Sequence, residues 1–155
     1  MKSNLYSKVE VLLKNYKTLK CEIKSLNIDI EEIEKEYKGI SAISYEEKTG
    51  PTNAFSSSVE NEVIQKSKKL DALRDIKRRK ELQVERVENA LEVLNEKEYK
   101  IIELKYFSER KKSWSNVCAK TDMCEAWCRQ LKDRAIKKMI PIFFVSESTS
   151  GKVAK

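Results

Sequence analysis

The sequence predicts an all-α chain: a long antiparallel helical hairpin followed by a small helix-turn-helix domain. Three observations lead there. The 155 residues include only three Gly and two Pro, and 37% are charged, a composition that favours long helices over sheets and turns. Apolar residues of the N-terminal segment recur at alternating four- and three-residue steps, the heptad spacing of a coiled-coil seam. After Asn95 the pattern shortens into brief apolar runs separated by polar breaks. A 40% hydrophobic content supports a modest core, enough for one small domain plus an extended element.

The first helix is expected over about 3–38. Its seam is Leu5, Val9, Leu12, Tyr16, Leu19, Ile23, Leu26, Ile30, Ile33 and Tyr37, with Tyr6, Leu13 and Ile28 widening the stripe. Residues 39–58 hold Gly39, Gly50-Pro51 and Ser56-Ser57-Ser58 and read as a loop. Ser58 followed by Glu60 and Glu62 reads as a helix cap with first-turn acids, starting a second helix over about 59–94. Its seam carries Val59, Val63, Leu70, Leu73, Val84, Val87, Leu91 and Leu94, with Lys66, Lys77 and Lys80 intervening, so the middle is a wet stretch. Two helices of matched length joined by a loop predict an antiparallel coiled-coil hairpin over 1–94. A lone pair of helices buries little, so the hairpin is expected to pack on the C-terminal part, on a second chain, or on both. Arg78-Arg79-Lys80 reads as a solvated face, with a phosphate contact as the alternative.

Residues 95–141 form the expected helix-turn-helix domain. Asn95 and Glu98 match a capping pair for a helix Glu96–Phe107, whose buried face is expected to be Tyr99, Ile102, Leu104 or the Lys105 stem, and Tyr106. Ser113 caps a short helix of about Trp114–Lys120, with Val117 and Cys118 inward. Thr121-Asp122-Met123 is the turn. Cys124 takes the cap position of a helix from Glu125 to about Ile140, stopped by Pro141. Residues 142–155 are an apolar run, Ile142-Phe143-Phe144-Val145, expected to fold back on the hairpin or to meet a second copy, and a flexible tail.

Charge placement indicates a partner. Residues 1–58 balance nine Lys against nine acids, and residues 59–94 carry nine bases against eight acids. Residues 95–155 carry fourteen bases against eight acids. The excess of the +7 net charge therefore sits at the C-terminal end, which points to a polyanion there. Met1–Leu5 is not followed by an apolar run, so Cys21, Cys118, Cys124 and Cys128 are expected to be reduced thiols of a cytoplasmic protein. Cys118-x5-Cys124-x3-Cys128 fits no common zinc spacing, and the chain has no His; no metal or cofactor is expected. With no His base, nucleophile–base set or phosphate loop, an enzyme is not expected either. No apolar run approaches a membrane span.

The last helix sorts by period. Cys128, Leu131, Ala135, Ile136 and Met139 fall on one side, as a core face. Glu125, Ala126, Trp127, Arg129, Gln130, Lys132, Asp133 and Lys137 fall on the other, as the face a recognition helix offers to the major groove of double-stranded DNA. Arg129 suits guanine and Gln130 suits adenine. Lys111, Lys112, Lys132, Lys137 and Lys138 are expected at phosphates, joined by Ser113 and Thr121.

The run Leu94–Met139 resembles region 4 of bacterial sigma-70 factors. The matching frame is Ile101-Ile102-Glu103-Leu104-Lys105-Tyr106-Phe107, then Ser113-Trp114-Ser115-Asn116-Val117-Cys118-Ala119, then Cys124 to Arg134-Ala135-Ile136-Lys137-Lys138-Met139. In that family a Ser or Thr cap, three exposed residues, an inward aliphatic and an Arg-Gln pair open the helix that reads the −35 promoter element. Here Cys124, Glu125-Ala126-Trp127, Cys128 and Arg129-Gln130 hold those places. Cys124 is a poorer cap acceptor. Trp127 either meets a thymine methyl or sugar, or packs on Trp114 or the first helix of the motif. The whole layout, with Lys38-Gly39-Ile40-Ser41-Ala42, Tyr45 and Ser58-Val59-Glu60, resembles phage late-gene regulators of the ArpU/RinA type.

The resemblance implies a phage or prophage transcription activator, nucleoid-associated when bound. RNA polymerase and a homodimer through the hairpin are possible partners. The N-terminal helices lack the aromatic and basic cluster that promoter melting needs, so a complete sigma factor is not expected. The alternatives are a DNA-packaging subunit of the small-terminase kind and a coiled-coil adaptor that binds only protein.

Overall fold

The computed structural model describes residues 2–41, 56–108 and 113–145. All the elements among them are helical: α1 (Lys2–Ser41), α2 (Ser56–Leu91), α3 (Glu96–Ile102) running into a π-helical turn (Glu103–Phe107), α4 (Trp114–Thr121) and α5 (Glu125–Phe143). The expected interior of the 39–58 loop, the Ser108–Lys112 break beyond Ser108, and the tail after Val145 lie outside the described residues.

Helices α1 and α2 extend further into the expected loop than the breaker residues indicate. Helix α1 continues to Ser41 through Gly39, and α2 begins at Ser56, so Ser58 lies inside the helix and is not its cap. At the other end α2 stops at Leu91, earlier than expected. The Leu94 N–H donates to the Leu91 carbonyl at 3.1 Å, a tight closing turn that hands the chain to the Asn95 cap.

The chain divides into two compact units. One is Cys21–Glu81, made of the later part of α1 and the earlier part of α2. Here Glu22 pairs with Lys80 at 2.6 Å, Glu34 with Arg74 at 2.7 Å, and Glu36 with Lys66 at 3.7 Å. Partner numbers fall along α2 as they rise along α1, so the segments run antiparallel. Ile30 is buried, while Ile23, Leu26, Ile33, Leu70 and Leu73 are half-buried along the contact. Of the three lysines placed at seam positions by the heptad, Lys66 and Lys80 reach across to acids of α1, and Lys77 pairs with Glu81 one turn along α2. Arg78 and Arg79 are exposed.

The other unit is Met1–Lys20 with Leu82–Lys155. Val9 and Leu13 of α1, Val87 and Ala90 of α2, Ile102, Tyr106, and Ala135, Ile136, Met139 and Phe143 of α5 form one core. Residues on both sides of the expected 94/95 boundary contribute to it. Ile101, Leu104, Val117, Cys128 and Leu131 form a second cluster, flanked by Trp114, Cys118 and Met123. Burying each of these large aliphatic side chains contributes about 1.5–3 kcal/mol relative to exposure.

Two expectations fail on this core. The helical period places Tyr99 inward, and it is exposed. The capping box explains it. Asn95 Oδ1 accepts from the Glu98 N–H at 2.9 Å, and Glu98 Oε2 accepts from the Asn95 N–H at 3.1 Å. Drawing Glu98 inward puts 98, 101 and 102 on the buried face and turns Tyr99 outward. The π-helical turn, closed by Ser108 N–H to Glu103 carbonyl at 3.0 Å, then re-aims the chain so that Leu104 and Tyr106 are both buried. Pro141 marks a stop for α5 in the sequence, yet the helix passes it to Phe143. An interior proline costs about 3 kcal/mol or more. Burial of Phe143 and Met139 and the Phe144 N–H bond to the Ile140 carbonyl at 3.0 Å oppose that cost. Ile142 and Phe143 thus prolong α5, and Phe144 packs against the core with Lys8 over its ring at 5.8 Å.

Candidate nucleic-acid interface

Helix α5 is amphipathic in the way its period requires. Cys128, Leu131, Ala135, Ile136 and Met139 are all buried, and Glu125, Ala126, Trp127, Arg129, Gln130 and Lys137 are all exposed. Cys124 sits at the N-cap with an extended backbone and makes no side-chain cap bond. Helix α4 is capped by Ser113, whose hydroxyl oxygen accepts from the Asn116 N–H at 3.3 Å. The two helices meet at Asp122, which takes a left-handed backbone with φ 54°, a conformation Asp and Asn tolerate better than most residues.

The expected phosphate contacts separate into different environments. Lys111 and Lys112 lie outside the described residues. Ser113 is exposed but acts as the α4 cap. Thr121 is half-buried, and its hydroxyl donates back to the Val117 carbonyl at 2.8 Å. Lys132 turns away from the outer face of α5. Its ammonium bonds Glu10 Oε1 at 2.7 Å and lies 5.6 Å from the Tyr6 ring centroid, and its side chain is only 19% exposed. Glu10 also accepts from the Tyr106 hydroxyl at 2.7 Å. Burial pushes the Glu10 carboxyl up, and the Lys132 and Tyr106 hydrogen bonds outweigh it, leaving the group below the ordinary range. Lys138 bonds Glu98 Oε2 at 2.8 Å and so pairs with the carboxylate of the capping box. Lys137 pairs with Asp133 at 2.6 Å along the helix surface, a bond that lowers the Asp133 pKa.

Arg129 is exposed but ordered. Its Nε and Nη2 donate to Glu125 Oε1 at 2.8 and 2.6 Å, and its guanidinium carbon lies 5.1 Å from the Trp114 ring centroid. Lys105 lies over the same ring at 4.5 Å. Partial burial, then repulsion from Lys132 and Arg129, lowers the Lys105 pKa. Trp127 does not pack on Trp114 through its ring; it is exposed, with the Arg134 guanidinium 5.7 Å from its centroid. Lys105 and Trp114 are site neighbours that period alone does not single out, because their relation to Arg129 is tertiary. Gln130 stands beside Arg129 on the exposed face.

Cys118 and Cys128 approach at 4.0 Å between sulfurs, and burial raises the Cys118 thiol pKa. The four cysteines are free, and no group of metal-binding side chains occurs among the described residues. No described helix is long and apolar enough to cross a membrane. Compared with protein-family models, curated proteins and solved structures, the chain matches none.

Proposed function

We propose that this chain is a sequence-specific regulator of transcription that binds duplex DNA, with α4, the Asp122 turn and α5 acting as a helix-turn-helix of the sigma region 4 kind. One observation carries the reading. Helix α5 is anchored by six buried residues and turns Arg129 and Gln130, two side chains suited to base edges, to solvent on its opposite face. The positive excess of residues 95–155 supports a polyanion partner, and the quoted sigma-like frame supports a promoter as the kind of site. Val9 and Leu13 of α1 and Val87 and Ala90 of α2 share the core that braces the reader, and the Cys21–Glu81 unit, where the two segments run antiparallel, offers a surface to polymerase or to a second copy. Activation in a phage or prophage setting follows from the ArpU/RinA resemblance.

A second reading, a protein-binding adaptor, is favoured by the exposed Trp127 beside Glu125. Binding measured across a salt series separates the two. A duplex-binding protein loses affinity steeply with salt, with a log–log slope of about −0.9 per phosphate neutralised. Failure to bind any duplex at low salt refutes the DNA reading and leaves the adaptor.

A further inference from the structure

The Arg129 guanidinium is held on two sides. Glu125 Oε1 lies along its Nε–Nη2 edge, at 2.8 and 2.6 Å, and the Trp114 indole meets it at 5.1 Å from the ring centroid. Alone, a carboxylate–arginine pair one turn apart on an exposed helix contributes little. Together the two contacts restrict the fork. The carboxylate sets its rotation about the side-chain axis, and the indole supports it from a second direction. The carboxylate takes the Nε–Nη2 edge, so both Nη1 hydrogens and the second Nη2 hydrogen lie outside the pair. One hydrogen of each Nη, side by side at the end of the fork, forms the end-on donor pair that matches O6 and N7 of guanine.

We infer that Glu125 is a positioning residue that presents Arg129 end-on to a guanine, and that it trades affinity for base discrimination. The inference rests on the DNA-binding reading of α5. A carboxylate facing a phosphate-lined groove weakens binding to every duplex alike. What it provides is a pre-organised donor pair, whose ordering cost is met before binding. Glu125 stands where the resemblance places an exposed residue of the reading face, so its charge opposes the general attraction that Lys137 and the other cations supply.

The test uses the full chain as wild type, Glu125→Gln, Glu125→Ala and Arg129→Ala. Each binds three duplexes: the site selected by the wild type from random DNA, a scrambled duplex, and the selected site with its guanines replaced by an analogue lacking N7. Both Glu125 variants should bind the scrambled duplex more tightly, by a similar factor of about two to three, since both lose one like charge. Glu125→Gln keeps an in-plane acceptor and should keep most of the specificity ratio. Glu125→Ala should lower that ratio about fivefold, the low end of what a bidentate arginine–guanine pair discriminates, and should lose sensitivity to the N7 analogue. An unchanged ratio in Glu125→Ala, or an equal fall in Glu125→Gln, overturns the positioning role. If Arg129→Ala abolishes specificity while Glu125→Ala does not, only this inference falls. If the wild type binds no duplex, or Arg129→Ala keeps full specificity, the reading of α5 falls with it.

Discussion

Glu98 is a fully buried carboxylate in the unit that carries α5, and replacing it tests how that unit is held together. Its Oε2 accepts from the Asn95 N–H at 3.1 Å and from Lys138 Nζ at 2.8 Å, so one oxygen ties the start of α3 to the last third of α5. Oε1 has no hydrogen-bond partner among the described residues. Glu98→Ala removes half of the capping box, worth about 1 kcal/mol. It also removes the carboxylate from Lys138. Breaking a fully buried pair costs about 3–5 kcal/mol, but the Lys138 side chain is 43% exposed, and solvent screening reduces that to about 1–2 kcal/mol. The sum is roughly 2–3 kcal/mol, a Tm decrease of about 5–10 °C for a chain of this size. Urea unfolding followed by Trp fluorescence reads it, since Trp114 and Trp127 both lie in this unit. Burial alone would raise the Glu98 pKa, but the Lys138 and Asn95 hydrogen bonds outweigh it and the net shift is downward from 4.5. A depressed carboxyl contributes stability above its unfolded pKa, and the contribution is lost as pH falls through the folded value. Glu98→Gln should therefore be less stable than wild type at neutral pH and should show a shallower loss below about pH 4.5. A Glu98→Ala protein within about 0.5 kcal/mol of wild type, or identical acid limbs for Glu98→Gln and wild type, refutes this account of the network.

Met139 is fully buried in the core it shares with residues of α1, α2 and α3, so Met139→Ala should cost about 2–5 kcal/mol in urea unfolding, and a cost below about 1 kcal/mol contradicts that packing. Lys132 and Lys137 lie on the same helix but should separate by assay. Lys132→Met removes the partner of a half-buried Glu10 and should lower stability by about 1–2 kcal/mol, an effect that shrinks as acid protonates Glu10, because that carboxyl is depressed in the fold. Lys137→Ala should change stability by less than about 0.5 kcal/mol while weakening selected and random duplexes alike.

The helical periods are legible in the sequence because they are local. The five residues assigned to the core face of α5 are all buried, and Asn95 with Glu98 forms the reciprocal cap that their three-residue spacing indicates. What local pattern misses is partner choice across the chain. Lys132 and Lys138 look like neighbours of Lys137 in sequence, yet their acids are Glu10 and Glu98, which come from α1 and α3. Period misplaces Tyr99 by one position on the helical wheel because a capping glutamate can be drawn fully inside. Pro141 reads as a stop because its missing N–H is a local fact, whereas the burial of Phe143 that carries the helix past it is tertiary. The stacking of Lys105 and Arg129 on Trp114 likewise depends on how the π-helical turn, α4 and α5 meet.

In the proposed function the outer face of α5 reads bases through Arg129 and Gln130. The most direct measurement compares the affinity of wild type, Arg129→Ala and Gln130→Ala for the duplex selected by the wild type and for random duplex at one salt concentration. Each variant should lose about 1–3 kcal/mol on the selected duplex and little on random duplex if these side chains read bases. Equal losses on both, or no loss on either, contradict it.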